Sequence, residues 1–292
     1  MNKNMIRFTG LIALALFFIV GCQKNDGTFD DNYGTLRISI TDDPFPVEYI
    51  EEANVVITKV EIREKDDHKG YGQEEDNAYP FMTLLQDTLE FNLLELRNGV
   101  TAELLEMEIP AGEYDLLRLY VDEASIVVKD YGTYDLKVPS GAQTGIKIFI
   151  EPAIMVEGGL SAELLLDFNL DKSFILKGNM HSPAGINGFN FKPVIRAVNN
   201  STAGSVQGTV SDTASVVLEN ASVWIKADTT IATAYTDSTG FYALPGIPEG
   251  TYYLYSTKEN YDTVMYDNVV VKAANLRVKD FVLTPKEGNN DE

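Results

Sequence analysis

Leu36-Arg37-Ile38-Ser39-Ile40-Thr41 alternates apolar and polar residues without a break, which sends every second side chain to one side of an extended chain. The period of two recurs downstream. Val56, Thr58, Val60 and Ile62 alternate with Ile57, Lys59, Glu61 and Arg63, and Leu117, Leu119 and Val121 alternate with Arg118, Tyr120 and Asp122. A helical period is admissible only over Leu84 to Leu96, where strands also fit. Between Lys65 and Tyr79 the residues are mostly Asp, Glu, Lys, Gly and Gln with no periodic apolar position, and this predicts a long acidic loop. Strands with one apolar face need a partner layer, so the expected class is all-β with two β-sandwich domains.

The division between them falls at Asn199-Asn200-Ser201-Thr202-Ala203-Gly204, a run of small and polar residues after which Val206, Gly208 and Val210 begin a new alternation. The expected organisation is a first domain over 34–198, a linker over 199–204, a second domain over 205–285 and a disordered acidic tail over 286–292. One internal echo links the two halves. Ile109-Pro110-Ala111-Gly112-Glu113-Tyr114 and Ile247-Pro248-Glu249-Gly250-Thr251-Tyr252 share the form Ile-Pro-x-Gly-x-Tyr ahead of an apolar strand. Proline presets φ and glycine admits a positive φ, so the shared motif is turn chemistry.

The chain opens with basic Lys3 and Arg7, an apolar run from Leu11 to Val20, then Gly21 and Cys22, the only cysteine. Ten apolar residues are half of what a membrane-spanning helix needs, about 20. The pattern resembles a bacterial lipoprotein signal. That resemblance implies a signal peptide over 1–21, an acylated Cys22 and a flexible spacer over 22–33, with the protein anchored to a membrane it does not cross. Lys24, Asp26, Asp30 and Asp31 resemble the export tag of surface lipoproteins in the Bacteroidota, which implies an outer-membrane, surface-exposed location. Removing Lys3 and Arg7 takes the net charge from −21 to −23, and such a polyanion repels nucleic acid.

Two family resemblances extend this reading. Residues 34–198 resemble a lipoprotein family known as domain of unknown function 4382. The resemblance is carried by Leu36 through Asp42-Asp43-Pro44, Leu93-Leu94-Glu95-Leu96-Arg97-Asn98-Gly99, Pro110 to Tyr114, Pro139-Ser140-Gly141 with Thr144 to Lys147, and Leu166-Asp167-Phe168 closing at Lys192 to Arg196. It implies no activity. Residues 204–284 resemble the carboxypeptidase regulatory-like domain through Val206 to Val210, Asn220 to Val223, Tyr235 to Tyr242 and Ile247 to Leu254. It implies a seven-stranded transthyretin-like (prealbumin-like) sandwich, without catalysis, grouped with carbohydrate-binding-like folds.

The residues offer little for catalysis. His68 and His181 are isolated from each other and from Cys22, so neither a histidine triad nor a zinc site has material, and both read as surface residues. Asp167-Phe168-Asn169-Leu170-Asp171 begins like a calcium loop, but Lys172 and Gly178 stand where its glycine and glutamate belong, and strand is the better reading. Asp42 and Asp43 before Pro44 read first as a turn and second as calcium ligands. No cofactor, metal or enzymatic activity is expected. The triplets at Asp87-Thr88, Asp212-Thr213 and Asp262-Thr263 resemble O-glycosylation acceptors of the Bacteroidota.

The functional lead is aromatic. If Ala221, Val223 and Ile225 face the second core, Trp224 points outward, and if Tyr252 and Leu254 face in, Tyr253 and Tyr255 point out. Paired strands would gather Trp224, Tyr253 and Tyr255 on one sheet face, to stack a ligand or to pack on the first domain. The leading expectation is a carbohydrate-binding or adhesion module. The alternative is a structural or assembly lipoprotein that contacts other envelope proteins and binds no small ligand.

Overall fold

The computed structural model describes residues 32–43, 49–65, 80–138, 141–179 and 185–286. The expectations for Cys22, the acidic stretch 66–79, His68, His181 and the last six residues lie outside the described residues.

The first domain contains β1 (Tyr33–Asp43), β2 (Ile50–Glu64), β3 (Met82–Leu85), β4 (Leu89–Asn92), β5 (Ala102–Pro110), β6 (Gly112–Val128), β7 (Gly132–Leu136), β8 (Ile146–Val156), β9 (Ser161–Asn169), β10 (Phe174–Gly178), β11 (Ile186–Phe191) and β12 (Ile195–Asn199). Ten of these form one sheet in the order β3-β2-β6-β8-β12-β9-β1-β5, with β4 also on β2 and β7 also on β6. The end strands β3 and β5 come back into contact, so the sheet is a near-closed barrel and not the expected sandwich. A period of two is common to both architectures, because each turns alternate side chains into one core. The long strands β2 and β6 make the difference. Register irregularities at Val56/Ile57 and Ile57/Lys59 bend β2, as bulges do, so that one strand can follow a curved wall.

The same bulge interrupts the alternation of β2. Ala53, Val55 and Ile57 are buried, then Val60 and Ile62, so Thr58 is the extra residue across which the inward set shifts by one. The region allowed as a helix is β3, β4 and a single 3-10 turn over Leu93–Leu96. That turn is capped by Asn92, whose side-chain oxygen accepts from Leu94 N at 3.2 Å, and it buries Leu93, Leu94 and Leu96. The β10–β11 hairpin adds Phe174, Ile186, Phe189 and Phe191 to the barrel core.

The second domain contains β13 (Ala203–Asp212), β14 (Ser222–Lys226), β15 (Thr230–Tyr235), β16 (Phe241–Pro248), β17 (Gly250–Thr257), β18 (Val264–Val271), β19 (Leu276–Val278) and β20 (Phe281–Leu283). One sheet runs β16-β13-β19 with β20 farther along β13; the other runs β15-β14-β17-β18. Val206, Val210, Val223, Ile225, Tyr242, Leu254 and Phe281 fill the space between them. β19 and β20 both lie parallel to β13, and the break between them crosses Gly208. A Cβ there would stand 1.8 Å from the Lys279 carbonyl oxygen, so only glycine fits.

The Ile-Pro-x-Gly-x-Tyr echo acquires a physical meaning in this structure. Tyr114 donates its hydroxyl to the Pro110 carbonyl and Tyr252 to the Pro248 carbonyl, each four residues upstream and each at 2.8 Å. Each bond ties a strand start back over the turn that precedes it, as in a tyrosine corner. Burial, aided by the nearby Glu64 carboxylate, pushes the Tyr114 hydroxyl up to about 12, which extends its role as a donor into the alkaline range. Tyr114→Phe and Tyr252→Phe are each expected to lower unfolding free energy by about 1 kcal/mol, read as a lower urea midpoint at unchanged slope. An unmoved midpoint would show that the turn holds without the hydroxyl.

Candidate functional site

Strand β14 is central in its sheet and pairs with β17 in a register that sets Trp224 opposite Tyr255 and Lys226 opposite Tyr253. Ala221, Val223 and Ile225 are fully buried on one side, and Tyr252 and Leu254 face the same core from β17. Trp224, Tyr253 and Tyr255 therefore share the outer face, as the alternation implies. Directly opposed side chains lie close enough to stack. The Trp224 and Tyr255 rings are 5.1 Å apart between centroids and within 4° of parallel.

This stacking makes the face a built feature, although it uses one face of each ring. The Lys226 ammonium adds a cation–π contact at 5.2 Å from the Tyr255 centroid. Tyr253 is 46% exposed, and Met265 on β18, opposite Tyr255, is 48% exposed. Met265 extends the row to a third strand. The sequence gives no sign of that, because β17 and β18 pair across an irregularity between Tyr252 and Leu254. On β15, Tyr235 opposes Ser222, and burial followed by the Asp171 carboxylate raises its hydroxyl pKa. One end of the face thus abuts the barrel while Tyr253 and Met265 remain open.

Of the carboxylates that drew attention as calcium ligands, Asp167 has another role. Asp167 is buried and paired with Arg196, and Phe168 and Leu170 are in the core. The strand reading holds to Asn169, after which a single helical turn, α1 (Leu170–Ser173), is capped by Asn169 accepting from Lys172 N at 2.9 Å. Asp42 is buried near the end of β1. Among the described residues no group of three or more His, Cys, Asp or Glu is placed to hold a metal. Two shallow hollows of about 370 and 450 Å³ occur on the barrel, the first beside Arg37 and Glu163, the second beside Lys147, Phe149 and Arg196. Arg37 in the first is engaged by Glu106 at 2.6 Å and Glu163 at 3.3 Å, and its guanidinium pKa is raised, first by the Glu106 hydrogen bond.

The fold and this face define a two-domain protein built predominantly of β-strands. The chain belongs to the family described as Domain of unknown function (DUF4382), whose model matches residues 33–193, more than half of its length. Residues 205–284 match the Carboxypeptidase regulatory-like domain. No curated protein matches the chain. Among solved structures, the chain is similar to the Bacillus anthracis TIE protein at 14% identity and a TM-score of 0.24, covering 87% of this chain and 34% of that one. A putative carbohydrate binding protein from Bacteroides uniformis ATCC 8492 aligns at 22% identity and a TM-score of 0.25, over 29% of this chain and 48% of that one. Shaft pilin SpaA from Lactobacillus rhamnosus GG aligns at 11% identity and a TM-score of 0.25, over 88% of this chain and 99% of that one. The chain thus spans about a third and about half of the first two proteins. Scores of this size carry no functional argument. Among the described residues no helix is long and apolar enough to cross a membrane.

The Trp224–Tyr255 contact is measurable in the absence of any ligand. A cycle of Trp224→Ala, Tyr255→Ala and the double variant is expected to give a coupling of about 1 kcal/mol in urea unfolding. A coupling of zero would mean that the rings are neighbours without interacting.

Proposed function

We propose that this protein is an acyl-anchored envelope lipoprotein whose second domain is a binding module for carbohydrate, used in surface adhesion. The observation that carries the binding reading is the outer face of β14, β17 and β18, where Trp224, Tyr253, Tyr255 and Met265 form an aromatic and thioether row beside a single lysine. A sugar ring presents flat C–H faces that pack on aromatic side chains, while its hydroxyls seek polar groups at the rim. The surrounding chain carries 44 acidic residues, so an uncharged polysaccharide approaches this face with less repulsion than a polyanion does.

The anchor reading rests on the signal-like segment ending at Cys22. Acyl chains on that residue would hold the protein at the outer membrane, with the two β domains displayed outside. The second reading, an assembly protein contacting other envelope proteins, is favoured by the same exposed row if its occupant is a protein surface.

Glycan-array binding by the chain from Asp26 to Glu292 is expected, and Trp224→Ala and Tyr253→Ala are expected to reduce it at least tenfold while leaving circular dichroism unchanged. Retained binding in both variants removes the row from the site, and no binding by the parent favours the assembly reading. For the anchor, Cys22→Ser is expected to move the full chain from the membrane pellet to the soluble fraction, and an unchanged pellet signal rejects acylation at that residue.

A further inference from the structure

Strand β9 directs Ala162, Leu164, Leu166 and Phe168 into the barrel, yet Leu165 and Asp167 on its outer side are also buried, at 2% and 5% exposure. Leu165 is covered by the second domain, and Asp167 by Arg196. Leu165 and Val198 of the barrel form an apolar cluster with Ala203, the first residue of β13, and a Cβ on Gly246 would stand 3.2 Å from Leu165 Cδ2 and 3.5 Å from Val198. Gly246 also has φ +65°, so positive dihedral and close approach both favour glycine there.

Asp167 and Arg196 are directly opposed on β9 and β12, and the Arg196 guanidinium spans the junction. Its Nη2 donates to Asp167 Oδ2 at 2.5 Å within the barrel, and its Nη1 donates to the Gly246 carbonyl of the sandwich at 2.9 Å. That carbonyl is available because β13 and β16 slip register between Gly204 and Val206, where Pro245 and Gly246 together oppose Ser205. Around this point Gly99 approaches Ala243, where an added Cβ would stand at 3.2 Å. Burial draws the Asp237 carboxyl up, but hydrogen bonds from Thr239 and Phe241 and the Arg97 charge hold it below the usual range. The connection is short as well. Asn200, Ser201 and Thr202 alone separate β12 from β13, and Asn200 N donates to the Glu163 carbonyl at 2.8 Å.

We propose that Arg196 is the bolt of the domain junction: by bridging Asp167 and the Gly246 carbonyl it holds barrel and sandwich in one orientation and makes them unfold as a single cooperative unit. A planar guanidinium has donors diverging in a fixed fork and can satisfy both acceptors at once, which a lysine ammonium on a flexible stem does less well. The role is one of positioning and is independent of what the aromatic row binds.

The only tryptophan, Trp224, lies in the sandwich, so its fluorescence follows that domain while amide circular dichroism follows both. In urea titrations of the full chain in a mild non-ionic detergent, the two curves are expected to superimpose for the parent and to separate for Arg196→Met. Separate curves in the parent overturn the proposal, and so do curves that stay superimposed in the variant at any midpoint. Since Arg196→Met alone leaves Asp167 buried without its cation, Asp167→Asn/Arg196→Met removes both charges and is expected to separate the curves too. Should both fail to fold, Arg196→Lys keeps the charge against Asp167 but loses the fork, and it decides the matter by the same criterion.

Discussion

Strand β9 is closed in on both faces, and the arrangement of the molecule follows from that. A barrel strand normally turns one face to the core and the other to water, and its outer residues are polar. Here the outer face carries Leu165 and a carboxylate, and both are buried. Burying an aliphatic side chain of this size is worth about 1.5–3 kcal/mol, and a buried aspartate needs a cation and hydrogen bonds. The sandwich supplies the cover through Ala203 and Gly246, while Arg196 from β12 supplies the charge. The junction therefore covers residues that the first domain alone leaves at its surface.

A fixed junction gives the aromatic row a defined setting. Tyr235 at one end of the outer face sits by Asp171 of the barrel, while Tyr253 and Met265 at the other end face solvent. The Trp224–Tyr255 stack in between restrains two large side chains before any partner arrives, which lowers the entropy lost on binding. The rest of the surface is dominated by acidic residues, whose charge favours solubility and keeps polyanions away.

Much of this was legible from residue order. Alternation located the strands, and in the second domain it assigned the inward and outward sets of β14 and β17 correctly, because these two strands pair with each other in unbroken register across the row. The Ile-Pro-x-Gly-x-Tyr echo marked two chain reversals, but neither Gly112 nor Gly250 takes the positive φ the motif implies, and the tyrosine bond to the proline carbonyl of each is not visible in residue order. In β2 alternation misled. One extra residue at Thr58 reversed the inward parity, and a bulge leaves no mark in a pattern of apolar residues. The Asp167 run was read as strand rather than calcium loop, which holds to Asn169, but its partner Arg196 lies 29 positions away and only the β9–β12 register brings them together.

The sequence by itself determined the all-β class, the two-domain order and the outward placement of Trp224, Tyr253 and Tyr255, because a period of two and local turn chemistry are properties of neighbouring residues. Only the tertiary structure decided that the first sheet curls into a near-closed barrel, that Met265 joins the aromatic row and that Arg196 reaches across to Gly246. Those outcomes depend on register between distant strands, and register is set by bulges and by the joint packing of both domains, information that no local pattern contains.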